Sequence, residues 1–106
     1  MRRKFGNKPM TVDGVRFDSH GEYFRWLELQ ALEREGVIRN LERQITVPLV
    51  VNGTKVCALR PDFAYFENGK RVYDDFKGHE TRDWRIKWKL AQAIFPNIEW
   101  RVSKGK

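Results

Sequence analysis

The sequence predicts an α/β fold in which a mixed β-sheet is flanked by helices, in the order α-β-β-β-α-β. Two segments with helical periodicity, one in each half of the chain, predict the two helices. Two Asn-Gly turns separate the apolar segments between them, and one more apolar segment follows the second helix. A strand, a helix and a strand in that order imply a parallel crossover, so we expect both strand directions in the sheet.

Length and composition predict one folded domain with a nucleic-acid partner. The chain has 106 residues, of which 41% are hydrophobic, too many for a disordered protein. No apolar run is long enough for a membrane helix, and the basic start lacks the apolar segment of a secretory signal, so we expect a cytoplasmic protein. The single Cys57 favours a buried strand position over a disulfide or zinc site. A net charge of +7 favours nucleic acid over an anionic membrane.

The start of the chain predicts a basic arm over residues 1–9, ahead of a single domain over residues 10–106. In the segment MTVDGVRF, apolar residues alternate and Asp13-Gly14 suits a tight turn, so a small hairpin is expected there. The basic side chains of the arm lack periodicity and are candidates for contact with DNA phosphates. They are Arg2, Arg3, Lys4 and Lys8.

The first helix is predicted within DSHGEYFRWLELQALEREG. Ser19 suits the N-cap, Glu22 stands three residues later, and Gly36 suits the end of the helix. The apolar residues occupy two faces of this helix. One face carries Tyr23, Phe24, Leu27 and Ala31, and the other carries Trp26 and Leu29. The second face is therefore expected either to meet another subunit or to be buried within the monomer.

The strands and the second helix follow. The segments QITVPLVV and TKVCAL are joined by Asn52-Gly53, and RPDFAYF and RVYDDFKG by a second Asn-Gly pair, which predicts a meander after the link VIRNLER. In TRDWRIKWKLAQAIF, large apolar residues recur at helical spacing before Pro96, and IEWRVS is the last strand. We expect Trp84 and Trp88 to pack in the core.

The second Asn-Gly turn also predicts where two carboxylates meet. Asn68-Gly69 makes the flanking strands antiparallel, and counting away from a two-residue turn places Asp62 level with Asp75. Side-chain alternation places Lys77 on the same face as Asp75, and Asp74 on the other face. Two carboxylates can share one Mg²⁺ ion, which prefers oxygen ligands, and a nearby lysine can stabilise a phosphate.

Each of these residues also has a simpler explanation. Asp62 can end a turn, and Asp75 with Lys77 can be an ordinary salt bridge of little energy. Glu22 can be a further metal ligand or the glutamate of a helix capping box with Ser19. Gln44, at the start of a strand, can orient water but is more often simply polar. The residue types therefore predict a metal site while leaving these structural roles open.

These motifs resemble those of a known nuclease superfamily. RPDF, with Asp62 thirteen residues before Asp75 of DFK, resembles the PD-(D/E)XK motif, with an Asp in the second acidic position. SHGE, RPDFAYFENGKRVYDDFKG and KWKLAQAIFPNIEWRVS resemble phage Holliday-junction resolvases of the endonuclease I type and related small phage proteins. The resemblance runs from about residue 16 to the end of the chain, and it implies the PD-(D/E)XK nuclease core.

The resemblance implies a catalytic site and an assembly. Glu22, Asp62 and Asp75 would surround one or two Mg²⁺ or Mn²⁺ ions, and Lys77 would contact the attacking water or the phosphate. It also implies a phage-encoded homodimer, acting in a bacterial host cell, whose two active sites cut opposite strands. Trp26 and Leu29 are the candidates for its intersubunit face.

The expected function is therefore a metal-dependent endodeoxyribonuclease that is selective for branched DNA such as Holliday junctions. One alternative is a basic nucleic-acid-binding module without activity, and another is a nonspecific or nicking nuclease without branch preference. One stripe of the second predicted helix is expected to contact the DNA backbone. It consists of Arg82, Arg85 and Lys89.

Overall fold

The computed structural model describes residues 8–104, which form eight strands and two helices. In chain order these are β1 (Met10–Val12), β2 (Val15–Phe17), α1 (His20–Arg34), β3 (Ile38–Arg43), β4 (Val47–Val51), β5 (Thr54–Leu59), β6 (Phe63–Glu67), β7 (Lys70–Lys77), α2 (Arg82–Ile94) and β8 (Glu99–Lys104). Within the predicted arm, Arg2, Arg3 and Lys4 lie outside the described residues, and Lys8 is exposed before β1. No helix in residues 8–104 is both long and apolar enough to cross a membrane.

The central sheet has four strands in the order β3-β6-β7-β8. Its first three strands are antiparallel neighbours, whereas β8 pairs with β7 in parallel after the α2 crossover. The predicted mixed sheet, flanking helices and parallel crossover are therefore confirmed. The remaining strands form two separate hairpins, β1-β2 and β4-β5, so five strands and not three lie between the helices in the chain.

The predicted hairpin turns are all present, including one at Asp13-Gly14. At each of the three sites both residues have positive φ, for example 54° at Asn68 and 76° at Gly69. That conformation matches the twist of two-residue hairpins and favours an Asx-Gly pair. The pairing of Glu67 with Lys70 starts the β6-β7 register that was predicted from the turn.

Strand β3 corrects the prediction of a link at VIRNLER. Residues 38–43 pair with β6 and form one edge of the sheet. The strand contains a register shift between Arg39 and Glu42, and Asn40 between them has a φ of 56°. Charged side chains and a bulge are typical of edge strands, which they protect from pairing with other chains. The same features weaken the apolar alternation by which a strand is predicted from sequence.

The sheet separates two apolar cores. Val72 belongs to the core beneath α1, while its neighbour Tyr73 packs against the core beneath α2, as alternation along β7 requires. The buried members of the first core are Leu29, Ile38, Phe63, Tyr65 and Val72. Those of the second are Val47, Leu49, Leu59, Trp88 and Ala91, so the β4-β5 hairpin shares a core with α2.

The orientation of α1 corrects one prediction. Leu29 is fully buried and Trp26 stacks on Phe63 with ring centroids 6.0 Å apart, so both residues face the sheet of their own chain. The intersubunit assignment of Trp26 and Leu29 is therefore wrong, and burial within the monomer explains them. Phe24 and Leu27 face outward instead, with 62% and 41% of their surface exposed. Helical periodicity identified two faces, and the packing against β3 and β6 determines which one is buried.

Candidate active site

The site lies where β6 begins and β7 ends. Asp62 immediately precedes β6, and the pairing of Phe63 with Asp74 places it opposite Asp75, as predicted. The backbone N–H of Asp62 donates to Asp75 Oδ1 at 3.0 Å, and the N–H of Phe76 donates to Asp62 Oδ2 at 2.9 Å. Each carboxylate is thus held by the main chain of the opposite strand.

The two aspartates and Glu22 concentrate negative charge in a poorly solvated place. Burial raises the pKa of Asp62 to about 9, and the charge of Asp75 adds to the increase. Burial also raises the pKa of Glu22, partly opposed by the backbone N–H of Asp18. Close carboxylates resist simultaneous ionisation unless a cation compensates them. The site therefore favours a proton or a metal ion between its carboxylates.

The two carboxylate oxygens of Glu22 have different partners. Ser19 caps α1, because its Oγ accepts the Glu22 N–H at 3.1 Å. Glu22 Oε1 accepts the N–H of Asp18 at 3.0 Å, one residue before the cap and not at the cap itself. Glu22 Oε2 lies 3.6 Å from the Arg43 guanidinium and 3.4 Å from the Gln44 Nε2, which also reaches Asp62. One carboxylate oxygen therefore serves the start of the helix, and the other faces the candidate site.

Gln44 connects Glu22 with Asp62. Its Nε2 lies 3.4 Å from both Glu22 Oε2 and Asp62 Oδ1, and its backbone N–H donates to the Asp62 carbonyl at 3.0 Å. A φ of 53° turns the chain at Gln44, between β3 and β4. Sequence alone indicates this role only weakly, because the position of Gln44 follows from the end of β3, a strand that the apolar pattern does not predict.

Lys77 and Trp84 complete the site on the α2 side. Lys77 Nζ lies 3.6 Å from Asp75 Oδ2 and 5.4 Å from the centre of the Trp84 ring. The Trp84 indole N–H donates to Asp75 Oδ2 at 2.9 Å. Trp84 stacks on Trp88, as core packing predicts, yet it also holds a site carboxylate. Sequence reasoning missed this contact, although the short loop between β7 and α2 was a usable signal.

Gly21 and Phe76 bring α1 close to the site. A side chain added at Gly21 would overlap the Phe76 ring, so only glycine allows this approach. The same Phe76 supplies the backbone N–H that holds Asp62. The start of α1 and the end of β7 are therefore in direct contact beside the carboxylates.

The donor set fits a divalent cation chemically. Carboxylate oxygens are the ligands that Mg²⁺ and Mn²⁺ prefer, and Asp62 and Asp75 are near neighbours with a strongly raised pKa at one of them. In residues 8–104, however, no three His, Cys, Asp or Glu side chains are gathered as a ready metal cluster. The carboxylates of Asp62 and Asp75 are thus close together, and the Gln44 amide lies between Glu22 and Asp62.

The predicted basic stripe of α2 faces solvent. Arg82, Arg85 and Lys89 are all exposed, whereas Trp88 of the same helix is buried. Arg85 donates to the Glu80 carbonyl at 3.0 Å. Within residues 8–104, Arg82 and Lys89 form no salt bridge. Since Trp84 contacts the site from the first turn of α2, the stripe begins next to it.

A family model described as a protein of unknown function, DUF1064, matches residues 2–106. The chain belongs to the DUF1064 family. The match includes both helices and the central sheet. It also includes the four residues predicted for the site, which are Glu22, Asp62, Asp75 and Lys77. A comparison with curated proteins finds no match. Because the description of DUF1064 states no activity, the function of this member has to be inferred from its site.

Proposed function

We propose that this DUF1064 protein is a metal-dependent endodeoxyribonuclease. The observation that carries the proposal is the pairing of Asp62 with Asp75 at one end of β6 and β7, with Lys77 3.6 Å from Asp75. Two close carboxylates with a lysine beside them suit a reaction at a phosphodiester, where negative charge increases on the phosphate oxygens.

The arrangement of the elements supports a PD-(D/E)XK core. If the two separate hairpins are left aside, the helices and the central sheet run α1, β3, β6, β7, α2, β8 along the chain. This is the α-β-β-β-α-β order expected from the resemblance. Its three β positions are filled by β3, β6 and β7, and β3 had not been expected among them. The hairpin β4-β5 is then an insertion that packs on α2.

The side chains have distinct roles in this proposal. Asp62, Asp75 and Glu22 would hold Mg²⁺ or Mn²⁺, which when bound supplies an activated water and offsets charge on the phosphate. Trp84 orients Asp75 through its indole N–H, and Gln44 orients Glu22 and Asp62.

Lys77 and α2 act on the substrate itself. The Lys77 side chain is 29% exposed, and its ammonium can contact a phosphate oxygen as well as Asp75. The stripe of Arg82, Arg85 and Lys89 would bind neighbouring phosphates and position the strand for cleavage without reading its sequence. Binding and chemistry would thus depend on different residues.

We further propose branched DNA as the substrate and a homodimer as the active form. A chain of this size offers one site, whereas resolution of a junction requires two cuts related by two-fold symmetry, which a two-fold dimer supplies. Light scattering of the free and junction-bound protein tests the dimer. A monomer in both states would remove the symmetry on which this part of the proposal depends.

One experiment tests the activity. A labelled four-way junction and a linear duplex of matched sequence are incubated with the protein in Mg²⁺, in Mn²⁺ and in EDTA, with Asp75→Asn as control. We expect cleavage by the wild type only with metal, and faster cleavage of the junction. Equal rates on both substrates would indicate a nuclease without branch preference. Binding without cleavage in every metal condition would indicate a binding module.

A further inference from the structure

We infer that Asp74 and Arg25 are a positioning pair that fixes Glu22 relative to Asp75. The inference rests on the proposed function, because Glu22 and Asp75 are the side chains that the pair would align. Neither Asp74 nor Arg25 contacts Asp62, Asp75 or Lys77 through a hydrogen bond or salt bridge among the described residues. Their effect on the site would therefore act through α1.

Asp74 joins three elements of the fold. Its Oδ2 accepts from an Arg25 guanidinium nitrogen of α1 at 2.6 Å and from the Tyr65 hydroxyl of β6 at 2.7 Å. Its Oδ1 accepts from the Ser103 hydroxyl of β8 at 2.9 Å. The side chain is completely buried. Such a carboxylate needs close donors, and here each donor comes from a different part of the chain.

Of the three side chains that donate hydrogen bonds to Asp74 in the described residues, Arg25 carries the charge. Tyr65 and Ser103 donate neutral hydrogen bonds, whereas the Arg25 guanidinium, with 17% of its side chain exposed, compensates the Asp74 charge. Loss of one partner of a buried pair leaves an uncompensated charge, which is far more costly than loss of a neutral hydrogen bond. The position of Arg25, and with it the first turns of α1, is therefore tied to Asp74.

Arg25 keeps this position although one of its groups is unsatisfied. Its Nε is buried without a hydrogen-bond partner, while the two terminal nitrogens bind Asp74 and Glu28, the latter at 2.8 Å. A buried unpaired donor costs free energy. The guanidinium is thus held where it serves the two carboxylates and not where all of its own donors would be satisfied.

The geometry connects this pair to the site by two short routes. Arg25 follows Glu22 by three residues, which is about one turn of α1. Asp74 precedes Asp75 directly in β7, and alternation directs their side chains to opposite faces. Hydrogen bonds are directional, whereas the apolar contacts of Leu29 and Trp26 are not. The pair can therefore set where Glu22 stands along the sheet.

Four variants separate positioning from general stability. Asp74→Asn and Arg25→Lys disturb the ion pair, and the Lys variant keeps the charge in case the Asn variant does not fold. Ser103→Ala is the matched control, since it removes one neutral hydrogen bond to Asp74 and leaves the ion pair intact. Tyr65→Phe is a second control that removes a neutral hydrogen bond to Asp74 and also the acceptor of Arg101 Nη1. For each protein, Mn²⁺ affinity is measured by calorimetry and stability by thermal unfolding. Amide exchange at Asp18, whose N–H is bonded to Glu22, is measured by NMR.

We expect the ion-pair variants to lose about tenfold in Mn²⁺ affinity and to exchange the Asp18 amide faster. The controls should lose stability while keeping wild-type affinity and exchange at Asp18. Wild-type affinity and exchange in both ion-pair variants, or losses in all four variants that simply follow stability, would overturn the inference. If the wild type neither binds Mn²⁺ nor cleaves DNA, the proposed function fails, and the exchange at Asp18 still decides whether the pair holds Glu22.

Discussion

Asp74 and Asp75 are consecutive buried residues of β7, and their surroundings differ on the two faces of the sheet. Beneath α1, Asp74 has one guanidinium partner and two hydroxyl donors. On the other face, Asp75 stands beside a second carboxylate, Asp62, and within residues 8–104 its salt-bridge partner is Lys77. The first arrangement is electrostatically complete, while the second gains from an added cation. Burial alone therefore does not make a carboxylate a candidate for function, whereas burial beside a second, uncompensated carboxylate does.

The largest expected effect concerns the face of β7 where Asp75 lies beside Asp62. Asp62→Asn, Asp75→Asn or Lys77→Ala should each lower the cleavage rate by more than about 10²-fold, because each removes a charge that acts on the metal or the phosphate. DNA affinity, measured by fluorescence anisotropy, should stay within a few fold. Asp83→Asn, at an exposed position in the first turn of α2, is the control and should cleave normally. Normal turnover by any of the three site variants would remove that residue from the site.

Glu22→Gln tests the residue that belongs to both the helix start and the site. Glutamine can still accept the Asp18 N–H but lacks the charge that a metal ligand supplies. Activity should fall at least tenfold, with little change in melting temperature. Ser19→Ala is the matched control, since loss of the cap should cost about 1 kcal/mol of stability with activity retained below the melting temperature. Unchanged activity and stability in Glu22→Gln would mean that Glu22 contributes neither to the start of α1 nor to the site.

Asp62→Asn should stabilise the metal-free protein, and more so at high pH. The pKa of Asp62 is raised from 3.8 to about 9, so between these values the folded state keeps a proton that the unfolded state releases. Stability then falls as pH rises through this window, and the asparagine variant lacks that loss. In EDTA we expect its melting temperature to exceed that of the wild type by a few degrees at pH 8, and by less at pH 5.

Asp74→Asn provides the comparison for this pH test. Arg25 compensates the charge of Asp74. Replacing Asp74 by asparagine should therefore lower the melting temperature at both pH values. A gain in stability for both asparagine variants, or for neither, would mean that the two faces of β7 do not differ in the way described.

The smallest expected effect comes from residues remote from both carboxylates. Deletion of residues 1–8 should weaken DNA binding through charge, and the slope of log K against log salt should become shallower by about 0.7 to 0.9 per lost phosphate contact. The double variant Arg82→Ala with Lys89→Ala should act in the same way. The domain over residues 10–106 should keep its melting temperature in both cases. An unchanged salt slope would exclude the altered residues from the DNA contact.

Local signals predicted the part of the site that lies within one hairpin. The turn at Asn68-Gly69 determines the β6-β7 register and so brings Asp62 to Asp75 without information from the rest of the fold. Ser19 and Gly36 likewise mark the ends of α1 because capping is local. These features could be predicted because each depends on residues close together in the chain.

The parts that were missed depend on contacts between distant segments. Gln44 reaches Asp62 only because the bulged edge strand β3 pairs with β6. Trp84 satisfies the periodicity of a core residue, and its contact with Asp75 depends on where α2 crosses the sheet. The buried face of α1 was likewise decided by packing against the sheet and not by periodicity.

The β6-β7 hairpin also has a consequence for the order of folding. A two-residue turn closes a short loop and such hairpins form within microseconds, whereas the β3-β6 and β7-β8 pairings join segments far apart in the chain. We therefore expect Asp62 and Asp75 to meet early, and Glu22 and Gln44 to join them later. Pulse-labelled hydrogen exchange during refolding would show protection at Phe76 before protection at Asp18. The mutual repulsion of the two aspartates would then be present in the folding nucleus, so a divalent cation or low pH should accelerate refolding.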